Sequence, residues 1–469
     1  MPTITRSDFL AGTLATAATG ALPTLPILGS AQTALDRYVA APDAAYGFRL
    51  LNSFRGPGYR AFVLQMTSQR WRSSSEVNEP IWTHWLTIVE PDEVRTSVGT
   101  LVIAGGSNND PPPSQADRLL VTLALNTHAV SSGLQMVPNQ PLEFADERRA
   151  LSEDDVIAYS WSKFLQTGDE TWPLRLPMTK AVVRAMDTIA TFSARRGTTV
   201  DRFIIGGASK RGWTAWTTAA VDKRVVGLVP VVIDMLDLVP SIGHEYRCYG
   251  TWPASLDSYV KFGIVDWFGT PQLRALAEIE DPYSYRSRYT MPKLIVNAAG
   301  DQFFVPDSSQ FYFDDLPQKK YLRYLPNTDH SLSGLGGSAA DTVLAFCYSI
   351  IDNMPLPSMT WHFEGTDTIV VHASAAASTA RMWEAVNSKA RDFRVETIGK
   401  AFNYHDLVNA GNNTYVGRIA VPPHGWRSFF VELTFPTSSG KQFKTTTQVR
   451  VVPEALPFPP PPLAARAAR

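Results

Sequence analysis

Short apolar runs, most of them closed by glycine or proline, carry the chain as far as Pro355. Tyr59–Thr67 (YRAFVLQMT) and Trp82–Val89 (WTHWLTIV) combine β-branched and aromatic residues and predict strands. Gly99–Ala104 (GTLVIA) is apolar and runs into Gly105-Gly106, the form of a fully buried parallel strand before a tight turn. Pro111–Pro113 predicts a loop, Ala116–Leu125 a helix and Ser132–Val137 another strand. Trp161 and Trp172 fall in a polar stretch. After it Val182, Val183, Met186, Ile189 and Ala190 recur at helical spacing and predict a helix over Met178–Arg196. Arg202–Ile205, Val225–Ile233, Lys293–Ala298 and Tyr321–Leu325 predict further strands, with a helix starting near Lys210. Strand and helix alternate, which implies a mostly parallel sheet covered on both faces.

Two regions break this rhythm. Asp234–Thr290 is an insertion between two strands of the sheet, rich in aromatics such as Tyr246, Tyr249, Trp252, Tyr259, Trp267 and Phe268. Insertions at strand ends commonly form caps over a site. Beyond Pro355-Leu356-Pro357 the period shortens to alternating segments: Thr368–Val371, Phe393–Ile398, Tyr415–Val421, Ser428–Phe435 and Thr445–Val452. They predict a small all-β, sandwich-like module over Thr360–Val452, following a sheet domain over Leu35–Pro357. The proline-rich end, Pro457–Arg469, is expected to be disordered.

Composition narrows the function classes. The 469 residues are 44% hydrophobic and only 19% charged, enough apolar content for a sizeable core and too little charge for a disordered chain. Lysine and arginine (43) balance aspartate and glutamate (44), so no basic excess favours nucleic acid. At the start, Arg6 precedes an uncharged stretch, Phe9–Leu22, and Gly29-Ser30-Ala31 offers small residues for cleavage. This reads as an export signal over residues 1–31, with the mature chain starting near Gln32 in a secreted or periplasmic location. Gly20, Pro23 and Pro26 break it too often for a stable membrane span. Thr5–Leu10 resembles a twin-arginine signal but lacks the second arginine, which leaves the export route open. An oxidising compartment would permit a Cys248–Cys347 bridge, although nothing in the spacing favours one.

The sharpest chemical signal is Phe203–Gly212 (FIIGGASKRG), a buried strand running through glycines into a serine and then a helix. A nucleophile elbow needs this arrangement, because the serine sits on a strained turn where strand and helix pack closely. Gly207-Ala208-Ser209 fits the first half of G-x-S-x-G. Position 211 is arginine and the glycine comes one later, at Gly212. Neither a P-loop nor a G-x-G-x-x-G pattern follows, which weakens a nucleotide-binding reading. The order serine, acid, histidine is then met by Asp301, just past one buried strand, and His330, just past the next. Asp234, past an earlier strand, is the alternative acid. His330 would take the serine proton, and the acid would hold the imidazole tautomer. Oxyanion donors are expected at the Lys210 N–H and in the turn Gly106–Asn108, centred on Ser107. Arg211 is a candidate for a substrate carboxylate or a surface ion pair, and Tyr246 and Trp252 are candidates for lining the cleft. Ser152-Glu153-Asp154-Asp155 reads as a helix start capped by Ser152. The histidines are scattered, without H-E-x-x-H or a close pair, so neither a metal nor another cofactor is expected.

Several of these segments together resemble one family. Gly207–Trp213 (GASKRGW), Asp281–Arg286 (DPYSYR), Met291–Leu294 (MPKL) and Val137–Leu142 (VPNQPL) are similar to the PhoPQ-activated pathogenicity-related family. The likeness runs from about Leu35 to Val452. Members of that family look like secreted α/β-hydrolases and include proteins described as autocrine proliferation repressors. The resemblance implies the fold, export and a triad at Ser209, Asp301 and His330. The shorter motif around Ser209 also looks like the G-x-S-x-x-G elbow of some carbohydrate esterases.

The expectation is therefore a secreted serine hydrolase of the α/β-hydrolase fold, with a cap insertion and a β-module. It would act on an ester or amide of a small molecule, glycan or peptide through an acyl-enzyme. The rival readings are a secreted peptidase on the same fold, and a signalling or binding protein with a vestigial site.

Overall fold

The computed structural model describes residues 32–317, 319–332 and 338–462. The stretch read as an export signal lies outside the described residues. Nine strands form the main sheet: β1 (Gly47–Gly56), β2 (Tyr59–Arg70), β3 (Ile81–Pro91), β4 (Val98–Ile103), β5 (Ser131–Leu134), β6 (Arg202–Ala208), β7 (Val225–Val231), β8 (Lys293–Ala298) and β9 (Lys320–Leu325). Their spatial order is β1-β2-β3-β5-β4-β6-β7-β8-β9. The pairs from β1 to β5 are antiparallel, and those from β5 through β4 to β9 are parallel.

Helices cover both faces: α1 (Ala34–Ala40), α2 (Arg118–Thr127), α3 (Asp154–Thr167), α4 (Arg175–Ala194), α5 (Lys210–Val221), α6 (Leu238–Tyr249), α7 (Asp257–Lys261), α8 (Pro271–Glu280) and α9 (Ser338–Ile351). The alternation of β6 divides two cores. Phe203 and Ile205 join Ala185, Ile189 and Trp216 of α4 and α5 on one side. Ile204 joins Leu123 of α2 and Leu344 and Phe346 of α9 on the other. This is the α/β-hydrolase arrangement, with α6, α7 and α8 inserted between β7 and β8.

The chain after α9 forms an antiparallel β-sandwich. Its strands are β10 (Met359–Glu364), β11 (Thr368–Ala373), β12 (Thr379–Asn387), β13 (Asn403–Asp406), β14 (Thr414–Arg418), β15 (Trp426–Pro436), β16 (Gln442–Thr446) and β17 (Arg450–Val452), with the short helix α10 (Val395–Ile398) between β12 and β13. One sheet is β10-β11-β14; the other is β13-β12-β15-β16, with β17 also on β15. Ile369, Val371, Met382, Val431 and Phe443 pack in the same core as Leu344 and Phe346, so the sandwich shares a core with the hydrolase sheet. It also covers the edge strand β9. The Tyr324 N–H donates to Thr446 Oγ1 at 2.9 Å, and Thr445 Oγ1 donates to the Leu322 carbonyl at 3.0 Å.

Several segments depart from the sequence reading. The stretch around Trp161 is helix α3, whose buried face (Val156, Ile157, Trp161, Phe164) is obscured by the polar residues between. Ser152 does not cap it: the preceding position is Glu153, which makes no side-chain cap bond. Phe393–Ile398 is a loop entering α10 rather than a strand. Strands β1, β10, β12 and β13 carry no continuous apolar run and escaped the pattern, while the expected segment Thr445–Val452 divides between the end of β16 and β17. Pro457–Pro462, expected to be disordered, lies against α6. The Phe458 N–H donates to the Arg247 carbonyl at 3.2 Å, and Pro461 is buried. Cys248 and Cys347 are both free and buried, so the bridge does not form. No described helix is long and apolar enough to cross a membrane.

Candidate active site

Strand β6 delivers Ser209 to the carboxyl edge of the sheet. There Ser209 adopts φ 55°, ψ −130°, a conformation costing a non-glycine residue about 1–3 kcal/mol. Its N–H donates to the Val231 carbonyl at 2.8 Å, which ties the turn to β7. The glycine spacing has a direct cause. A Cβ on Gly207 would lie 2.8 Å from the Arg211 backbone, and one on Gly212 would lie 2.7 Å from the Gly207 carbonyl oxygen. Strand and helix touch at Gly207 and Gly212, so the second glycine belongs at 212, and 211 is free to carry a side chain.

Asp301 follows β8 and His330 follows β9 along the same carboxyl edge. His330 Nδ1 lies 2.9 and 3.0 Å from the two Asp301 carboxylate oxygens. The Phe303 N–H donates to Asp301 at 2.8 Å, and the His330 N–H donates to the Gln302 side chain at 3.0 Å. Burial pushes the Asp301 carboxyl up, opposed by the hydrogen bond and charge of His330. The Phe303 ring lies 4.3 Å from the imidazole, centroid to centroid. Nδ1 faces the acid, so Nε2 is the nitrogen left for a nucleophile. Among the described residues no hydrogen bond joins Ser209 to His330.

The alternative acid is engaged elsewhere. Asp234 is buried and accepts hydrogen bonds from the hydroxyls of Tyr312, at 2.6 Å, and Tyr324. Burial pushes its carboxyl up to about 7 against those two bonds, reinforced by the nearby Asp301 and Asp307 charges. His330 thus contacts Asp301, while Asp234 sits in a tyrosine cage behind it.

Two expected contributors have other partners. The Ser107 N–H donates to the Asp110 carboxylate at 2.7 Å, so it is not free for an oxyanion. The Asn108 N–H is likewise taken, by the Gln140 carbonyl. The Arg211 fork grips Glu153 at 2.7 and 2.8 Å, and its Nε donates to the Val137 carbonyl at 2.6 Å. The Arg211 charge is thus paired with Glu153 and its Nε edge is held by Val137, in place of a substrate carboxylate. Tyr246 and Trp252 pack on each other in the insertion, 4.7 Å between centroids. Neither lines the cavity that contains Ser209.

The sequence reading missed Glu153 and Arg175. Glu153 gathers Arg211, the Lys210 ammonium at 2.8 Å and the Gln140 side chain. Burial would raise its carboxyl, but Arg211 and Lys210 hold it well below the usual carboxylate range. The acidic run 152–155 was the available signal, and it was absorbed by the helix-start reading. Arg175, fully buried, pairs with Glu280 at 3.2 Å and donates to the Lys210 carbonyl at 2.7 Å. The first turn of α5 is therefore held from both sides, with the Lys210 N–H beside Ser209.

A family model for the PhoPQ-activated pathogenicity-related protein matches residues 35–394. The chain is 36% identical over 453 residues to autocrine proliferation repressor protein A of Dictyostelium discoideum, covering 91% of this chain and 92% of that protein. Among solved structures, acetyl xylan esterase 1 from Thermoanaerobacterium sp. JW/SL YS485 is similar at TM-score 0.45 and 15% identity, over 68% of this chain and 92% of that one. A glucuronoyl esterase from Solibacter usitatus is similar at TM-score 0.41 and 10% identity, over 67% and 90%. With a family match across most of its length and a relative of this identity, the chain belongs to the PhoPQ-activated pathogenicity-related protein family.

Proposed function

We propose that the protein is an exported serine hydrolase that cleaves a carboxylic ester through an acyl-enzyme on Ser209. The observation that carries this reading is the His330–Asp301 contact on the sheet edge that also bears the strained Ser209. Ser209 Oγ attacks the ester carbonyl carbon while its proton passes to His330 Nε2. The carbonyl oxygen becomes an oxyanion and accepts the Lys210 N–H. Collapse breaks the bond to the leaving alcohol, which takes the proton from His330. Water then repeats the sequence on the acyl-enzyme, releasing the carboxylic acid and restoring Ser209. Asp301 fixes the imidazole tautomer and stabilises the imidazolium. The Ser209–His330 hydrogen bond closes when substrate arrives, as catalytic hydrogen bonds often do.

The test is hydrolysis of p-nitrophenyl acetate and labelling by a fluorophosphonate. Ser209→Ala is expected to lower kcat by at least about 10³-fold and to abolish labelling, with the circular dichroism spectrum unchanged. Undiminished turnover by the purified variant overturns the assignment.

A further inference from the structure

Central strands of a parallel sheet are normally covered on both faces. Strand β6 is not. On the side facing α2 and α9, Ala208 is exposed, and Val102, Gly206 and Val231 around it are only half-buried. The space above them is a cavity of about 540 Å³, walled by Leu123 of α2 and Val343 of α9, with Ser209 at one end. Leu119, also on its wall, is 50% exposed. Gly206 and Ala208 carry almost no side chain, which leaves the floor clear. Arg211 is the charged group on the lining, and Glu153 and the Val137 carbonyl already occupy it. Among the described residues a ligand in this groove meets mainly methyl and methylene groups, interrupted by the Thr100 and Thr122 side chains and the Cys347 thiol, with Arg211 as the one charged group. From Ile204 to Ser209 the groove follows five residue steps of strand, about 16 Å.

We propose that this groove holds the acyl chain of the substrate, and that the preferred substrates are esters of unbranched, uncharged, medium-chain carboxylic acids. The proposal rests on the serine-hydrolase reading and adds the class of acid that is transferred. The chain lies over Gly206 and Ala208 with its carbonyl at Ser209. The alcohol leaves on the opposite side, toward solvent and the inserted helices. Each buried methylene then strengthens transition-state binding.

The experiment uses the mature full-length protein. The kcat/KM for p-nitrophenyl acetate, butyrate, hexanoate and octanoate is expected to rise by up to about fourfold per added methylene. Acetates of alcohols of increasing length should show no such rise. Ala340→Trp, which narrows the groove from α9, is expected to lower the octanoate-to-acetate ratio of kcat/KM at least tenfold. Leu119→Trp, at a half-exposed wall position, should lower it in the same direction if Ala340→Trp fails to fold. A flat acyl series, or a rise confined to the alcohol series, overturns the proposal. Loss of all ester turnover and fluorophosphonate labelling in the wild type would be a failure of the hydrolase reading instead. The groove is then tested by titrating decanoate into Ser209→Ala: heat of binding that Leu119→Trp weakens supports it, and no heat overturns it.

Discussion

Asn327 and Phe402 hold each other through two hydrogen bonds. The Asn327 side-chain amide donates to the Phe402 carbonyl at 2.8 Å, and its oxygen accepts the Phe402 N–H at 2.9 Å. Asn327 lies in the loop that carries His330, and Phe402 lies in the β-sandwich between α10 and β13. A second tie joins the same parts: the Val395 N–H donates to the carbonyl of Gly300, the neighbour of Asp301, at 3.0 Å. The sandwich therefore grips both the Asp301 loop and the His330 loop.

Asn327→Gly isolates that grip. Asn327 has φ 59°, which glycine adopts without strain, so the substitution deletes the amide and leaves the turn. Loss of both bonds, with the Phe402 groups left unpaired, is expected to cost about 1–3 kcal/mol in urea unfolding. It should also lower kcat on p-nitrophenyl acetate with little change in KM, because His330 loses its fixed position. A stability loss with unchanged kcat would confine the contact to folding.

Asp301→Asn and Asp234→Asn separate the two candidate acids. At Asp301 an amide favours the wrong imidazole tautomer, and kcat is expected to fall about 10³–10⁴-fold. At Asp234 an amide still accepts from one tyrosine hydroxyl and can donate to the other, so its kinetic effect should be far smaller. The reverse ranking in steady-state kinetics would move the acid to Asp234.

The elbow was legible because strand, glycine, serine and helix are contiguous, and the steric needs of that turn are local. Asp301 and His330 were legible from chain order, since each stands just past a buried strand. What could not be read was partnership across the fold. Ser107 belongs to a turn closed by Asp110, which a glycine-rich pattern does not distinguish from a turn with free N–H groups. Outside Ser209 and Lys210, several residues of the segments similar to the family act as scaffolding. Gln140 and Arg211 converge on Glu153, and Asp281 accepts the Leu238 N–H at the start of α6 at 2.6 Å. Such long-range contacts leave no periodicity, and the edge strand β1, mostly exposed, leaves little.

Asp234 also sets a pH dependence of stability. Its carboxyl sits at about 7 in the folded protein, against about 3.9 in an unfolded chain. The folded state thus holds the proton more tightly. The resulting stabilisation is fully present below about pH 4 and is lost as pH rises through about 7. Tyr312, Tyr324, Asp301 and Asp307 are the groups facing it. Of these, Asp307 stays ionised, because Arg391 and His244 overcome its burial. Asp234→Asn removes the ionisable group, so its Tm relative to wild type is expected to climb between pH 4 and pH 8. A constant Tm difference across that range would show that Asp234 titrates alike in the folded and unfolded chains.

The sandwich is held to the sheet by charge as well as by apolar contact. Arg323 of β9 pairs with Glu432 of β15, and each side chain is only 3% exposed. Glu432→Leu leaves a buried guanidinium with its counter-ion gone, which costs about 3–5 kcal/mol. Replacing both partners, Arg323→Met with Glu432→Leu, removes the buried guanidinium and leaves Lys444, which lies 3.8 Å from Glu432 and is the more exposed cation, to be hydrated; it is expected to recover most of that loss. Truncation after Pro357 also removes Glu432, but it opens Arg323 to water, so its cost arises elsewhere. It uncovers the edge strand β9, whose backbone is capped by Thr445 and Thr446, and it exposes the core around Leu344 and Phe346. The truncated protein should therefore be insoluble, and carrying Arg323→Met should not rescue it, since the apolar face remains open. Urea unfolding of the three full-length forms and solubility of the two truncated ones check this ordering. A double variant no more stable than Glu432→Leu would mean that the cost lies in packing around Glu432 and not in an orphaned charge.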